Sequence, residues 1–326
     1  MRLTAMGLCL GLALAGWAPA HAEDGSVAEQ TIDVMNKLWG AHPGLRANHA
    51  KGIVVEGSFT PSAAGPKLSK AALFAGAPVP VTARFSNSTG LPDLADGDPR
   101  ANPHGFGIRF QLADGSQVDV VTNSLAFFPV ANGEQFLELL TAVSQSRPGA
   151  AKPTPVEQFM AAHPAAPKAF ASVQTPASFA QEAYNGVDAF VLVDAAGKRQ
   201  PFRFRLEPVA GVAHLSKDEA GKQAPDFLGE ELRARLAKAP VQFRLLAQLA
   251  KPGDPTADPT QPWPADRELV DLGTLTLTAP AADNAAAASE LMLLPSNLVE
   301  GIEPSDDPLI DARVNAYAVS FSRRSQ

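Results

Sequence analysis

The sequence predicts an α+β fold: an antiparallel eight-stranded β-barrel, or a strongly curved sheet, with flanking helices. Three observations carry this. About eight short strand-like segments fall in adjacent, hairpin-like pairs. Helical patterns lie before, between and after those pairs. Neither a strand–helix–strand alternation nor a glycine-rich phosphate loop is present, which sets a Rossmann-type nucleotide enzyme aside. The composition agrees, because 29 prolines and 25 glycines in 326 residues demand many turns and short elements. With 45% apolar and 19% charged residues, the chain reads as globular and long enough to bury a sizeable core. A net charge of −7 argues against binding polyanions through bulk charge.

The amino terminus stands apart from the fold. Arg2 supplies a positive start, and Leu3 to Trp17 form an uncharged apolar run. Ala20-His21-Ala22 gives the small-x-small pattern of a leader-peptidase site, just before Glu23-Asp24. The run is shorter than the roughly 18 residues of a membrane span. Residues 1–22 therefore read as a cleaved signal peptide, 23–326 as a single domain, and the mature protein as exported to the periplasm. Cys9, the one cysteine, falls inside this leader. The mature chain is expected to lack disulfides, thiolate metal ligands and cysteine-based zinc sites.

Taken in order, Val27–Trp39 places Ile32, Met35 and Leu38 at helical spacing. Ala50–Phe59 follows as a strand, then a Pro/Ser-rich turn. Val79–Ser86 and Gly105–Leu112 are strands, and Gln117–Val121 follows the hairpin turn Asp114-Gly115. Ala131–Val143 is an amphipathic helix, and Pro153–Ser172 a pair of short helices broken at His163-Pro164. Ala189–Val193 and Phe202–Leu206 form a second hairpin around Ala196-Gly197. Phe227–Lys238 is helical. Val241–Leu249 and Leu269–Thr278 are strands separated by the proline-rich surface loop Lys251–Arg267. A last helix spans about Asp307–Ser322, with Ser305 or Asp306 as its N-cap.

Three segments place polar residues where an apolar pattern should continue. These are Arg46-Ala47-Asn48-His49-Ala50-Lys51-Gly52 before a strand, Arg84-Phe85-Ser86-Asn87 at a strand end, and Thr122-Asn123-Ser124 running into Phe127-Phe128-Pro129. Each alone has an ordinary structural explanation as a hydrogen-bonded His or a turn former. In the last helix, Arg313 and Tyr317 stand four residues apart and share a face. They fit either a half-buried Tyr beside an exposed Arg, or a phenol ionised by the adjacent guanidinium, which is one of the few protein ligands for haem iron. His42, His49, His104, His163 and His214 have no compact metal-ligand spacing, and no GxSxG hydrolase elbow is present.

In combination and in this order, His49-Ala50-Lys51-Gly52, Arg84-Phe85-Ser86, Gly105-Phe106, Asn123 with Phe127-Phe128, and Arg313-x-x-x-Tyr317 resemble the catalase family. The likeness is close over Leu45–Phe136 and in the last helix, and loose between them. Typical catalases carry an amino-terminal arm and a carboxy-terminal extension that this chain lacks. It is most similar to the compact, exported catalase-related haem peroxidases.

The resemblance implies a catalase-like barrel that binds haem b. His49 would be the distal histidine, Ser86 the residue that orients it, and Asn123 the amide that polarises peroxide. Tyr317 would be the proximal ligand of the haem iron and Arg313 its guanidinium partner. Arg46, Arg84 and Arg324 would pair with the haem propionates, as the arginine fork suits carboxylates. Phe136 falls at the spacing of a phenylalanine on the haem face, and equally fits the core side of an amphipathic helix. Two departures touch the distal side: Asn102 replaces an acidic channel residue, and the stretch after Asn123 is shortened to Ser124-Leu125-Ala126.

The implied activity is reduction of hydrogen peroxide or an organic peroxide by an external small-molecule electron donor, with weak catalase activity alongside. No nucleic acid and no membrane insertion after leader cleavage are expected. Without the arms that hold large catalases as tetramers, a monomer or small homo-oligomer is expected. The alternatives are a non-enzymatic periplasmic carrier of haem or an apolar ligand on the same barrel, and a haem enzyme that rearranges lipid hydroperoxides.

Overall fold

Side-chain alternation builds the barrel from the inside. The computed structural model describes residues 25–325, so the leader expected over 1–22 lies outside the described residues. In His104–Gln111 the buried Phe106, Ile108 and Phe110 share one face, while Gly105, Gly107 and Arg109 occupy the other. The same period repeats around a closed antiparallel ring. Its strands are β1 (Gly52–Pro61), β2 (Val79–Asn87), β3 (His104–Gln111), β4 (Gln117–Asn123), β5 (Tyr184–Asn185), β6 (Arg199–Pro208), β7 (Val241–Leu249) and β8 (Leu269–Pro280). They pair in the order β7-β8-β1-β2-β3-β4-β5-β6, and β6 pairs with β7 to close the circle. The expected eight-stranded barrel with flanking helices is therefore present, and closure leaves it no free edge.

The expected strand at Ala189–Val193 is not one of the staves. Residues 184–193 lie along one edge of β6 in two pieces. Tyr184–Asn185 bridges to β4 and completes the ring, whereas Phe190–Val193 peels away and pairs with Ile302–Pro304. Two ladder residues are too few for a period-2 pattern to reveal, so the stave that closes the barrel was not read from sequence.

Aromatic rings fill the interior. Phe85 stacks on Phe106 at 4.1 Å between centroids, and Phe106 meets both Tyr184 and Phe243 at 5.0 Å. The Tyr184 hydroxyl donates to the Phe179 carbonyl at 3.0 Å, so its burial leaves no unmet donor.

Three helices form a layer outside the barrel. The amino-terminal helix Val27–Trp39 starts at a Ser26/Glu29 capping box. It buries Ile32 and Met35 against Leu140 and Phe136 of Gly133–Gln145 and against Ala316 and Val319 of the carboxy-terminal helix Pro308–Arg324. Gly133 permits that approach, since a Cβ there would lie 2.9 Å from the Ala312 methyl. The carboxy-terminal helix is capped by Asp307, whose carboxylate accepts from the Leu309 N–H at 2.9 Å, and not by Ser305 or Asp306. Pro308 takes the first helical position that suits its fixed φ, which sets the cap at Asp307, one residue later than Asp306.

The proline-rich stretch 251–267 is anchored more firmly than a surface loop. Trp263 is buried, its indole N–H donates to the Pro255 carbonyl at 2.7 Å, and the Arg203 guanidinium lies 4.5 Å above its ring.

Phe106→Ala should cost about 3–5 kcal/mol in urea unfolding, while Val209→Ala on the surface should stay within about 0.5 kcal/mol. Equal midpoints for the two variants would contradict this assignment of the core.

Candidate active site

Register brings polar residues and glycines of five strands into one row. Ser86 lies opposite Gly52 on one side and Gly105 on the other; Gly105 faces Asn123, and Asn123 faces Asn185. Phe85 points into the barrel, so Ser86 points out of it, toward the helical layer. Gly105 keeps this wall flat. A Cβ there would come within 2.8 Å of Ser86 Oγ and 3.0 Å of His49 Nδ1. Two residues on, a Cβ at Gly107 would collide with Leu293 at 2.4 Å.

His49 occupies the loop just before β1 with φ at +59°, a conformation that costs a non-glycine residue about 1–3 kcal/mol. Arg84 holds it there by donating to the carbonyls of His49 at 2.8 Å and Ala50 at 3.1 Å. His49 Nδ1 meets Ser86 Oγ at 3.1 Å, while Nε2 has no hydrogen-bond partner among the described residues. Burial, then the charges of Arg84, Arg313 and Arg46, push this imidazole down to about 3. It is neutral at any physiological pH. Asn123 is buried at the end of β4, and its amide oxygen accepts from the Leu125 N–H at 2.8 Å. That leaves the amide N–H groups for another partner.

Three arginines gather beside this wall without a carboxylate among the described residues. Arg46 donates to the carbonyls of Ala288, at 2.9 Å, and Leu291; Arg324 also donates to Leu291, at 3.1 Å. The Nε atoms of Arg84 and Arg324 are buried with no partner. Burial and then the neighbouring arginines Arg84 and Arg324 push Arg46 down to about 8, and Arg84 and Arg324 fall to about 10. Arg46 and Arg84 line a hollow of about 430 Å³ with Ala50, Gly52 and the short helix Asn284–Glu290. Unpaired, partly desolvated guanidinium groups around a hollow are suited to bidentate carboxylates.

The carboxy-terminal helix supplies the opposite element. Arg313 Nε and a terminal nitrogen donate to the Tyr317 phenolic oxygen at 3.1 and 3.0 Å. Its remaining nitrogen forms an ion pair with buried Asp188. Burial opposes the charge on Arg313, but Asp188 and Tyr317 outweigh it and hold its pKa above the ordinary arginine value. Arg313 is near enough to His49 to help depress its pKa, and Tyr317 is near enough to Arg46 to act on it in the opposite, raising direction, so the helix and the barrel wall border one site. Ala47 N–H donates to Ser320 Oγ at 3.2 Å, tying the His49 loop to this helix.

The sequence-derived residues thus largely converge. Phe136 is the exception: it is half-buried between two apolar clusters of the helical layer and lies 5.8 Å from Phe128. Sequence reading missed Asp188, which is 125 residues from Arg313 and carries no local signal. The same applies to the steric role of Gly105 and Gly107, although small residues alternating with Phe106 and Ile108 were visible in β3. No cluster of metal-ligating His, Cys, Asp or Glu exists among the described residues.

The unpaired arginines, the buried partnerless Nε atoms and the hollow they line fit a dianionic group such as haem. Comparison with known proteins places the chain in a family. A family model described as Catalase matches residues 32–325. A "Catalase-related peroxidase" of Mycolicibacterium paratuberculosis is 36% identical over 305 residues, covering 92% of this chain and 96% of that protein. A second protein of that name, from Synechococcus elongatus, is 33% identical over 334 residues, covering 99% and 95%. A "Catalase" of Pseudomonas syringae is 30% identical over 290 residues, and the match covers 56% of that longer chain.

One consequence concerns acid. His104 is buried with neither ring nitrogen partnered, and burial, then His214, push it from 6.5 down to about 3. The unfolded chain takes up a proton that the folded ring resists, so stability falls as pH drops from about 6.5 toward 3, by up to about 1.4 kcal/mol per pH unit. His104→Leu should flatten the pH dependence of urea unfolding by that amount. A slope identical to wild type would count against it.

Proposed function

The chain belongs to the catalase family and is an oxidoreductase acting on peroxide; from that premise we propose that it is a peroxidase using haem b and an external electron donor. The observation that carries this is that Arg313, which holds the Tyr317 oxygen, is close enough to the buried, neutral His49 to act on its charge. Arg46, Arg84 and Arg324 would hold the propionates, and Tyr317 the iron. When bound, haem supplies the two-electron redox centre at which the peroxide O–O bond breaks.

The protein's own groups handle protons and orientation. His49 stays uncharged because burial and three arginines disfavour a second proton on its ring, so it can accept one from the peroxide at Nε2. The Ser86 contact on Nδ1 fixes the ring plane, which lets the same nitrogen return that proton to the departing oxygen. The Asn123 amide N–H groups, on the same row and left free by the bond its oxygen accepts, would donate to a peroxide oxygen. Arg313 directs two N–H groups onto the Tyr317 oxygen, which steadies negative charge there. Asp188 locks Arg313 in that pose.

Export to the periplasm is part of this proposal and rests on residues 1–22; Edman sequencing of protein from the producing cell should begin at Glu23.

Reconstituted with haemin, the mature protein should show a Soret band and consume peroxide in proportion to an added reductant. His49→Ala should retain the band and lose turnover by about 100-fold or more, the scale of a general acid–base group. Tyr317→Phe should shift or lose the band, and Gly105→Ala should impair turnover by displacing His49. Normal turnover in His49→Ala, or absence of a Soret band, would overturn the reading.

A further inference from the structure

Beyond Arg313 the site continues into a further set of buried charges. Asp188, the ion-pair partner of Arg313, is 1% exposed, and Asp307, the cap of the carboxy-terminal helix, is 4% exposed. Backbone contacts bring the two segments together. The Ser305 N–H donates to the carbonyl of Ala189, next to Asp188, and the Asp307 N–H donates to the Ser305 hydroxyl. Each carboxylate uses one oxygen: Asp188 Oδ2 meets Arg313, and Asp307 Oδ1 accepts from the Leu309 N–H. The other two, Asp188 Oδ1 and Asp307 Oδ2, are the only buried carboxylate oxygens without a partner among the described residues.

The remaining charges around Asp307 are cationic. Arg313 acts on it from its own helix and Arg203 from β6. Arg203 is itself buried, donates to the carbonyls of Gln261 and Asp258, and keeps an unpartnered Nε. With both carboxylates ionised, their two charges would cancel those of the two guanidinium groups. Arg313 would then stand in a neutral cluster, with no net charge to set against negative charge on the Tyr317 oxygen. One proton kept by the carboxylates leaves a single positive charge beside that oxygen. Two buried carboxylates in one site favour this state, because like charges resist double ionisation. Burial, and then Asp188, push Asp307 up to about 7, against the lowering effects of the Leu309 N–H, Arg203 and Arg313.

We infer that Asp188 and Asp307 hold one proton between them, carried by Asp307, and that Asp307 is thereby a positioning residue that sets the charge Arg313 presents to Tyr317. The shared proton depends on no cofactor, whereas its effect at Tyr317 rests on the peroxidase reading above. As pH rises through about 7 the proton leaves to solvent, and Arg313 is then answered by a second carboxylate. Support for negative charge on the Tyr317 oxygen is therefore full below that pH and declines above it. His49 is not the source of such a step, since its own pKa is pushed down to about 3.

Asp307→Asn is the first test, because asparagine caps a helix as well as aspartate does and stays neutral at every pH. Infrared difference spectra of the protein as purified, taken from about pH 5 upward, should show a protonated-carboxyl band in wild type. The band should vanish with a midpoint of about 7, and Asp307→Asn should lose that step. Glu182, beside His214, is another carboxyl raised by burial, so the diagnostic step is the one the substitution removes. In Asp188→Asn the midpoint should fall toward the ordinary carboxylate range, since the like charge is gone. In haemin-loaded protein the Soret maximum should shift through the same midpoint in wild type and keep its acid position in Asp307→Asn. An identical infrared step in wild type and Asp307→Asn, or no protonated carboxyl in wild type, would overturn the shared proton. A lost infrared step with equal Soret pH dependence in both proteins would overturn the link to Tyr317. A lost infrared step with no Soret band in either protein would uphold the pair and overturn the haem reading alone.

Discussion

The contact on which the rest of the site depends is the close approach of His49 to the barrel wall at Ser86 and Gly105. It exists because the register places a residue without a side chain directly beside the serine. A slip of one position would turn Phe85 and Phe106 outward and bury Ser86, exchanging the whole interior for the wall. The stacked aromatic interior therefore does more than stabilise the barrel: it makes that slip prohibitive. Closure by the short stave Tyr184–Asn185 extends the same row to a fifth strand.

Buried arginines are treated in two opposite ways in one site. Arg313 is fully provided for, with Asp188 on one side and the Tyr317 oxygen on the other, and its charge is reinforced. Arg46, Arg84 and Arg324 have only carbonyl partners; burial lowers all three, and Arg324 adds to the depression of Arg84 and both add to that of Arg46. A fold gains nothing in stability by crowding desolvated cations, so such a cluster marks a place meant for an anion. Burial first, and then the charges of Arg84, Arg313 and Arg46, keep His49 neutral, which couples its protonation state to the arginine cluster.

Strain and anchoring balance around His49. Its left-handed backbone is unfavourable for a histidine, and Arg84 and the Ala47–Ser320 bond hold it in place from the barrel and from the carboxy-terminal helix. The helix is in turn positioned by its Asp307 cap, by the Gly133–Ala312 contact and by the ion pair to Asp188. Loop, barrel and helix thus constrain one another.

Much of this was legible in the residues. The 2-residue and 3.6-residue periods located seven of the staves and the three layer helices to within a few residues, because burial on one face is written locally. The i,i+4 spacing alone set Tyr317 beside Arg313, and the composition of the His49, Arg84 and Asn123 segments marked them as chemically unusual. The sequence by itself determined which groups are available and which face of each element they occupy. Only the tertiary structure decided that Asp188 completes the Arg313 pair, that Gly105 is needed for its emptiness, that Arg46, Arg84 and Arg324 are left unpaired, and that Phe136 sits between two apolar clusters. Those outcomes depend on residues far apart in the chain, and a side chain's local pattern carries no record of what lies opposite it once the barrel closes.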